Sequence, residues 1–454
     1  MNNHKNKKLI LILGDIIVLY SSLYLTLVVR YFSIPGSETW FKHFWYFSIV
    51  YIAWIIIFYI NDLYNLHLAV NNEKFTSKSF KSIFIAILIS AVFFYLNSHI
   101  DIAPKRNLVI YLIIFTGLFL LWRRFFNWSL NSYLPKIRIA FIGYNSQVQE
   151  LVRSLRQKPH LGYEISTIFS NHTGYYLDGI PVQSNIYKIK ATIKKEKINT
   201  IITSSDLSQS KELRSILFSC LPLKINFQNF SNFYEQITGK VPIEAISESW
   251  FLENLSEGSK NTYDTIKRIY DVAIASFILI STAVFWPLIG LLLKIENKES
   301  VFFMQKRVGK DGRVFSILKF RTQKTINSED PEPAKKNDRR TTKIGNFLRK
   351  SRIDEIPQVI NILLGDMSFI GPRPERPEII ERLEKSVPFY KERLLVKPGL
   401  TGWDQVSGEY HSPSEEDTLK KLQYDLFYIK NRSLYLDTSI ILKTISTVLS
   451  RAGI

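Results

Sequence analysis

The 454-residue chain carries 59 Lys and Arg against 40 Asp and Glu, a net charge of +19, and 46% of its residues are hydrophobic. This balance excludes intrinsic disorder, and the length suggests two or three domains. One cysteine, Cys220, excludes a disulfide framework and a Cys-based zinc site, and the seven His lack the HExxH-like spacing of a zinc hydrolase.

Four apolar blocks open the chain. Leu9–Val29 contains one charge, Asp15; Phe44–Ile60 and Ser82–Ser98 contain none; Leu108–Trp122 is bounded by Arg106 and Arg123. Each approaches the roughly 17–25 residues that span a bilayer core, so residues 1–130 are predicted to form a four-helix transmembrane bundle. A cleaved leader in the first block is disfavoured, because Val28-Val29-Arg30-Tyr31 offers no small-residue cleavage site. Basic residues flank the first span (Lys5, Lys7, Lys8), the second and third (Lys74, Lys78, Lys81) and the end of the fourth (Arg123, Arg124, Lys136, Arg138), whereas Ser33–Trp40 has none. This asymmetry places the N-terminus and everything after residue 123 on the cytoplasmic side. Asp15, within a span, reads as a snorkelling or helix-paired carboxylate.

Residues 137–253 change character. Ile137–Ile142, Tyr163–Phe169, Ile198–Ile202 and Leu223–Phe227 read as strands, separated by helical stretches at Gln147–Leu155, Tyr187–Lys195 and Lys211–Ser219. Strands alternating with helices predict a Rossmann-like α/β cytoplasmic domain with a parallel sheet. The first strand is followed by Gly143-Tyr144-Asn145-Ser146, not GxGxxG, so nucleotide binding is unsupported there. Tyr263 and Lys267 match the YxxxK of short-chain reductases at a spacing common by chance.

A fifth apolar run, Val272–Leu293, has 22 uncharged residues, contains Pro287, and is flanked by Lys267, Arg268 and Lys294. A straight span would carry the basic C-terminal region outside the cell, against the charge rule. Proline breaks a helix, and the freed carbonyls need partners that lipid cannot supply. The run therefore predicts a re-entrant helix over 268–293, within a mainly helical, monotopic domain over 260–454.

Residues 299–437 carry the chemistry. Asp354 and Glu355 form an adjacent carboxylate pair in a segment crowded with Arg339, Arg340, Lys343, Arg349, Lys350 and Arg352. Nearby cations are expected to keep both carboxylates ionised and to receive phosphate groups. Gly371-Pro372-Arg373-Pro374 fixes φ on both sides of one Arg. Lys397-Pro398-Gly399 and Thr401-Gly402-Trp403 punctuate a second rigid loop, suited to positioning a guanidinium on a phosphate.

These collinear motifs resemble the bacterial polyprenyl-phosphate hexose-1-phosphate transferases, the large-form monotopic phosphoglycosyl transferases. The resemblance implies transfer of a sugar 1-phosphate from a UDP-sugar to undecaprenyl phosphate at the bacterial cytoplasmic membrane. That step would open assembly of O-antigen, capsule or exopolysaccharide. It implies that Asp354 is the nucleophile, forming a phosphosugar-aspartate, and that Glu355 is the ligand of a Mg²⁺ cofactor. Lys319 and Arg321 of the KFR motif, Arg349 of LRxxxxDE and Arg373 of PRP would contact phosphates or nucleotide. Gln305 and Arg307 match QxRxG, with a structural role. The chain departs from the family at Trp286, usually small, at Gln323, usually Met, and at Asp404, Ser407 and Glu409 of the GWDQVSGE loop, where the preferred sugar is open. A homodimer is one open arrangement. The competing reading is a non-catalytic, membrane-anchored nucleotide-sensing scaffold, for which Asp354 would be dispensable. Nucleic-acid binding is not expected, since the basic charge sits beside membrane segments and no binding motif is present.

Overall fold

The computed structural model describes residues 2–65, 73–97, 104–132, 136–158, 161–170, 176–177, 179–204, 210–255, 260–296, 299–324, 340–407 and 414–449. Ser98, Arg339 and Glu409 lie outside the described residues. The chain divides into two compact units, Met1–Phe230 and Ser231–Ile454.

The first unit begins with helices α1 (Asn2–Tyr31), α2 (Ser37–Ile60), α3 (Glu73–Leu96) and α4 (Pro104–Ser132). All four contain a stretch long and apolar enough to cross a membrane, as the apolar blocks predict. Trp54, Phe58, Tyr111, Phe115 and Phe119 interlock inside the bundle, while Leu13, Ile52, Val92 and Ile113 face outward. Asp15 is a helix-paired carboxylate. It is fully buried and accepts from Arg123 Nη2 at 2.6 Å, while Arg123 Nη1 donates to the Leu63 carbonyl at 2.8 Å. A charge at this depth persists only with such a partner.

An α/β sheet follows. Its strands are β1 (Ile137–Ile142), β2 (Tyr163–Phe169), β3 (Tyr176–Leu177), β4 (Ile180–Gln183), β5 (Thr200–Thr203) and β6 (Asn226–Asn229), in the order β3-β4-β2-β1-β5-β6. All neighbouring pairs are parallel except the short β3/β4 hairpin. Helices α5 (Ser146–Gln157), α6 (Ile189–Glu196) and α7 (Lys211–Phe218) supply connections. After β1 the chain turns at Gly143, whose φ of 89° favours glycine, and Asn145 then caps α5 by accepting from Val148 N at 2.7 Å. The expected third and fourth strands form slightly later than predicted. Leu223, expected to begin the fourth, instead ends a 3-10 turn, Leu221–Leu223, that contains Pro222.

The division at residue 230 falls before the expected boundary at 253. The physical reason is packing: Val241, Ile243 and Trp250, around α8 (Phe230–Thr238) and α9 (Glu248–Asn254), join the core of the second unit. That core also gathers Ala275 from α10 (Asn261–Ala283) and Leu422 and Ile429 from a later helix. Helix α11 (Trp286–Glu296) is bent 61° from α10, and Pro287 sits in its first turn, where a missing N–H costs nothing. Trp286 fills the space that a small residue would leave, packing against Phe302 and Phe320 with ring centroids 6.1 and 5.7 Å away. One face of α10 is apolar and exposed, with Phe277 and Ile280 outward.

An antiparallel hairpin, β7 (Phe302–Val308) and β8 (Val314–Phe320), comes next. Helices α12 (Lys343–Lys350) and α13 (Val359–Leu364), the strand β9 (Ser368–Ile370) and α14 (Pro377–Ser386) follow. β10 (Gly399–Thr401) pairs in parallel with β9, and α15 (Glu415–Asn431) and α16 (Leu434–Leu449) close the unit.

Candidate active site

The carboxylate pair lies in a 3-10 helix, Ile353–Gln358, that follows α12. Arg352, at φ 59°, makes the left-handed turn that reverses the chain into it. Glu355 accepts from Lys319 Nζ, on β8, at 2.7 Å. Asn361 fixes that strand against α13: its Oδ1 accepts from Leu318 N at 3.0 Å, and its Nδ2 donates to the Ser316 carbonyl at 2.8 Å.

The two carboxylates titrate apart. Burial alone would raise Glu355, but Lys319, Arg373 and Arg352 outweigh it and hold the carboxyl at about 2. Asp354 moves the other way, to about 6, because burial and the neighbouring Glu355 charge exceed the pull of Lys319, Arg352 and Arg349. The expectation that the cations depress both groups is therefore corrected for Asp354. Its Oδ1 is buried and accepts no hydrogen bond among the described residues.

Lys319, Glu355 and Arg373 come together around an open cleft of about 270 Å³, solvent at its mouth included, with Arg307, Ile317, Gln358, Pro374, Gly399 and Leu400 completing its lining. Arg349, in the last turn of α12, donates to Thr341 at 3.2 Å and acts on Asp354 through its charge. Arg321 is placed differently. It lies one residue beyond β8, donates to Glu299 at 2.9 Å and to the Ser300 carbonyl at 3.0 Å, and among the described contacts does not meet the carboxylate pair.

Arg393, outside the motif reading, and Arg307, of the QxRxG motif, hold the Arg373 loop. Arg393 is buried, pairs with Asp425 at 2.8 Å and donates to the Arg373 carbonyl at 3.0 Å. Arg307 donates to the Pro374 carbonyl at 2.9 Å, which gives the QxRxG arginine a structural task. The loop is also tight. A Cβ on Gly399 would lie 2.1 Å from Gly371 N and 2.4 Å from the Thr401 carbonyl oxygen, all backbone atoms. Gly399→Ala is expected to cost about 1–3 kcal/mol by overpacking. A lowered thermal midpoint of the purified protein checks this.

The donor set bears on a metal. Among the described residues no group of three His, Cys, Asp or Glu side chains could hold an ion. The adjacent pair, with Asp354 Oδ1 unpartnered, fits a hard cation that takes its other ligands from water and substrate phosphates, as Mg²⁺ commonly does.

A membrane-anchored chain with a buried carboxylate pair among cations has the chemistry of a phosphoryl-group transferase. The family described as Bacterial sugar transferase matches residues 262–451, and one described as CoA-binding domain matches residues 59–228. The UDP-N-acetylgalactosamine-undecaprenyl-phosphate N-acetylgalactosaminephosphotransferase of Aeromonas hydrophila is 39% identical over 247 residues, covering 53% of this chain and 56% of that protein. The UDP-glucose:undecaprenyl-phosphate glucose-1-phosphate transferase of Xanthomonas campestris pv. campestris is 31% identical over 355 residues, covering 73% and 70%. A protein of the same description from Escherichia coli (strain K12) is 30% identical over 338 residues, covering 70% and 69%. The chain belongs to the bacterial sugar transferase family, and it is an enzyme of the sugar-phosphate transferase class.

Proposed function

We propose that the chain transfers a hexose 1-phosphate from a UDP-sugar to undecaprenyl phosphate, releasing UMP, as the first membrane step of polysaccharide assembly. The observation that carries this reading is the pair itself: Asp354 with an unpartnered oxygen, beside a Glu355 held ionised by Lys319 at 2.7 Å. An Asp354 oxygen attacks the sugar-bearing phosphorus, the phosphoanhydride breaks and UMP leaves, giving an aspartyl phosphosugar. A phosphate oxygen of the lipid then attacks the same phosphorus, the acyl-phosphate bond breaks, and the carboxylate is restored. One phosphoanhydride is lost and one formed, so the exchange is near-isoenergetic. Lys319, Arg349 and Arg373 offset phosphate charge. Arg321 does so only if it leaves Glu299. Glu355, with Asp354, would hold Mg²⁺, which supplies neutralisation of the phosphate oxygens when bound.

The bent α10–α11 pair supports a re-entrant anchor that keeps this site at the cytoplasmic face of the inner membrane. Cysteines placed just before Lys267 and just after Lys294 should both be shielded from a membrane-impermeant thiol reagent in intact cells. Labelling at the second position alone would make the pair a span. The parallel sheet is consistent with a Rossmann-like domain that the chemistry does not require. Purified protein given undecaprenyl phosphate and a panel of UDP-sugars should release UMP with at least one of them. Silence across the panel, in folded protein, would favour the scaffold reading.

A further inference from the structure

The transfer chemistry leaves one large cavity of the second unit unused. It is an open cleft of about 540 Å³, solvent at its mouth included, walled by the first turns of α10, by β9 and by residues 395–397. Five cationic side chains line it, against the carboxylates of Asp264 and Asp271. Two of the cations have acid partners: Lys267 pairs with Asp437 at 3.0 Å, and Arg432 with Asp264 at 3.4 Å. The others are Arg268, Lys310 and Lys397. Arg268 is held in place by the Ile362 and Leu363 carbonyls, at 2.5 and 2.7 Å. Asp271 accepts the Phe369 N–H at 3.2 Å. Lys397 is half-buried, and among the described residues its ammonium makes no hydrogen bond and no close ion pair. Burial, Arg268 and Lys310 push its pKa down and outweigh the opposing pull of Asp271 and Asp366, so the cavity as built disfavours the charge it carries. Converging cations without a matching number of acids form a site for an anion.

The position says which anion. Lys267 and Arg268 lie about one turn before Val272, where the apolar stretch of α10 begins. Ile269 is 64% exposed on the same turn, and Leu364 is 72% exposed beside the carbonyls that hold Arg268. On the re-entrant reading of α10 proposed above, on which this inference rests, basic side chains at the boundary of the inserted apolar stretch, rimmed by exposed aliphatic residues, sit at the depth of phosphate head groups. We propose that this cavity binds the phosphodiester head group of an anionic phospholipid, at a site separate from the carboxylate pair. It shares no lining residue with the cavity around Glu355. The chain passes from one to the other within a few residues, since Lys397 lines the first and Gly399 and Leu400 line the second. A head group on Lys397 therefore anchors the segment that walls the transfer site.

The test uses the full chain in a neutral detergent, with thermal unfolding followed by tryptophan fluorescence. Dihexanoylphosphatidylglycerol should raise the midpoint saturably. Dihexanoylphosphatidylcholine and inorganic phosphate at the same concentrations should not. The Lys310→Gln/Lys397→Gln variant should bind phosphatidylglycerol about tenfold more weakly, as expected for lost charged hydrogen bonds. UMP release by Lys310→Gln without added phospholipid should be unchanged. Lys310 is exposed, so Lys310→Gln alone gives a weaker form of the same shift if the double variant unfolds. An equal response to phosphatidylcholine or to free phosphate overturns the assignment, as does undiminished affinity in the variants. A tenfold rise in the KM for undecaprenyl phosphate in the double variant would give the cavity to the acceptor instead, and overturns it too.

Discussion

Asp354→Asn is expected to abolish sugar-phosphate transfer in a protein that stays folded. The substitution changes one carboxylate oxygen to an amide nitrogen of nearly equal volume. Asp354 is buried in a wall shaped by α12 and β8, and its Oδ1 accepts no hydrogen bond among the described residues, so no structural bond there is lost with the charge. Removing the negative charge also relieves the cost of burying it and its repulsion with Glu355, which together raise Asp354 to about 6. Stability should therefore be retained or improved. Nucleophilicity toward phosphorus is a different matter, because a neutral amide has no charge to donate. Loss of a covalent nucleophile typically costs on the order of 10³-fold or more. Purified wild-type protein given labelled UDP-sugar without lipid acceptor should retain label on the chain, and Asp354→Asn should retain none. UMP release by Asp354→Asn within about tenfold of wild type would place the nucleophile elsewhere.

The sequence exposes this site because its key residues are neighbours. Asp354 and Glu355 are adjacent, and Arg349 lies five residues before Asp354, in the last turn of α12, so local pattern alone brings them near. The spans are legible for a similar reason: a bilayer demands an unbroken apolar block, and α1–α4 supply it. β1 and β2 are legible as short apolar runs, and their observed bounds match the expected ones. Other parts leave no local trace. β9 and β10 have three residues each, too few for a period, and they pair only because Gly371, Gly399 and Gly402 let backbones touch. The Arg393–Asp425 ion pair joins residues 32 apart on elements that meet only in the fold. Arg321 shows the opposite failure. It shares a motif with Lys319, but the strand ends at Phe320, and the chain turns Arg321 to Glu299 and Ser300. The upward shift of Asp354 was likewise invisible, since a string of cations says nothing about how deeply a carboxylate is buried.

Glu355→Gln should damage turnover through a separate route, and the geometry makes the two routes distinguishable. Glu355 holds the Lys319 ammonium at 2.7 Å and is kept near pKa 2 by Lys319, Arg373 and Arg352 despite burial. A glutamine keeps the hydrogen bond to Lys319 through its carbonyl but offers a hard cation a neutral, weaker donor. It also removes the neighbouring charge that raises Asp354, so the nucleophile should ionise more readily, not less. A fall in rate therefore cannot come from a protonated Asp354. It has to come from the lost ligand or from a lysine turned away from substrate. The expected loss in kcat is on the order of 100-fold, with the Mg²⁺ concentration for half-maximal rate raised by about tenfold or more. Lys319→Met separates the causes. It leaves Glu355 free to bind the ion, so its Mg²⁺ dependence should stay near wild type while KM for the UDP-sugar rises. If Glu355→Gln instead keeps the wild-type Mg²⁺ dependence and loses only substrate affinity, Glu355 serves to orient Lys319, and the ion is held by other groups.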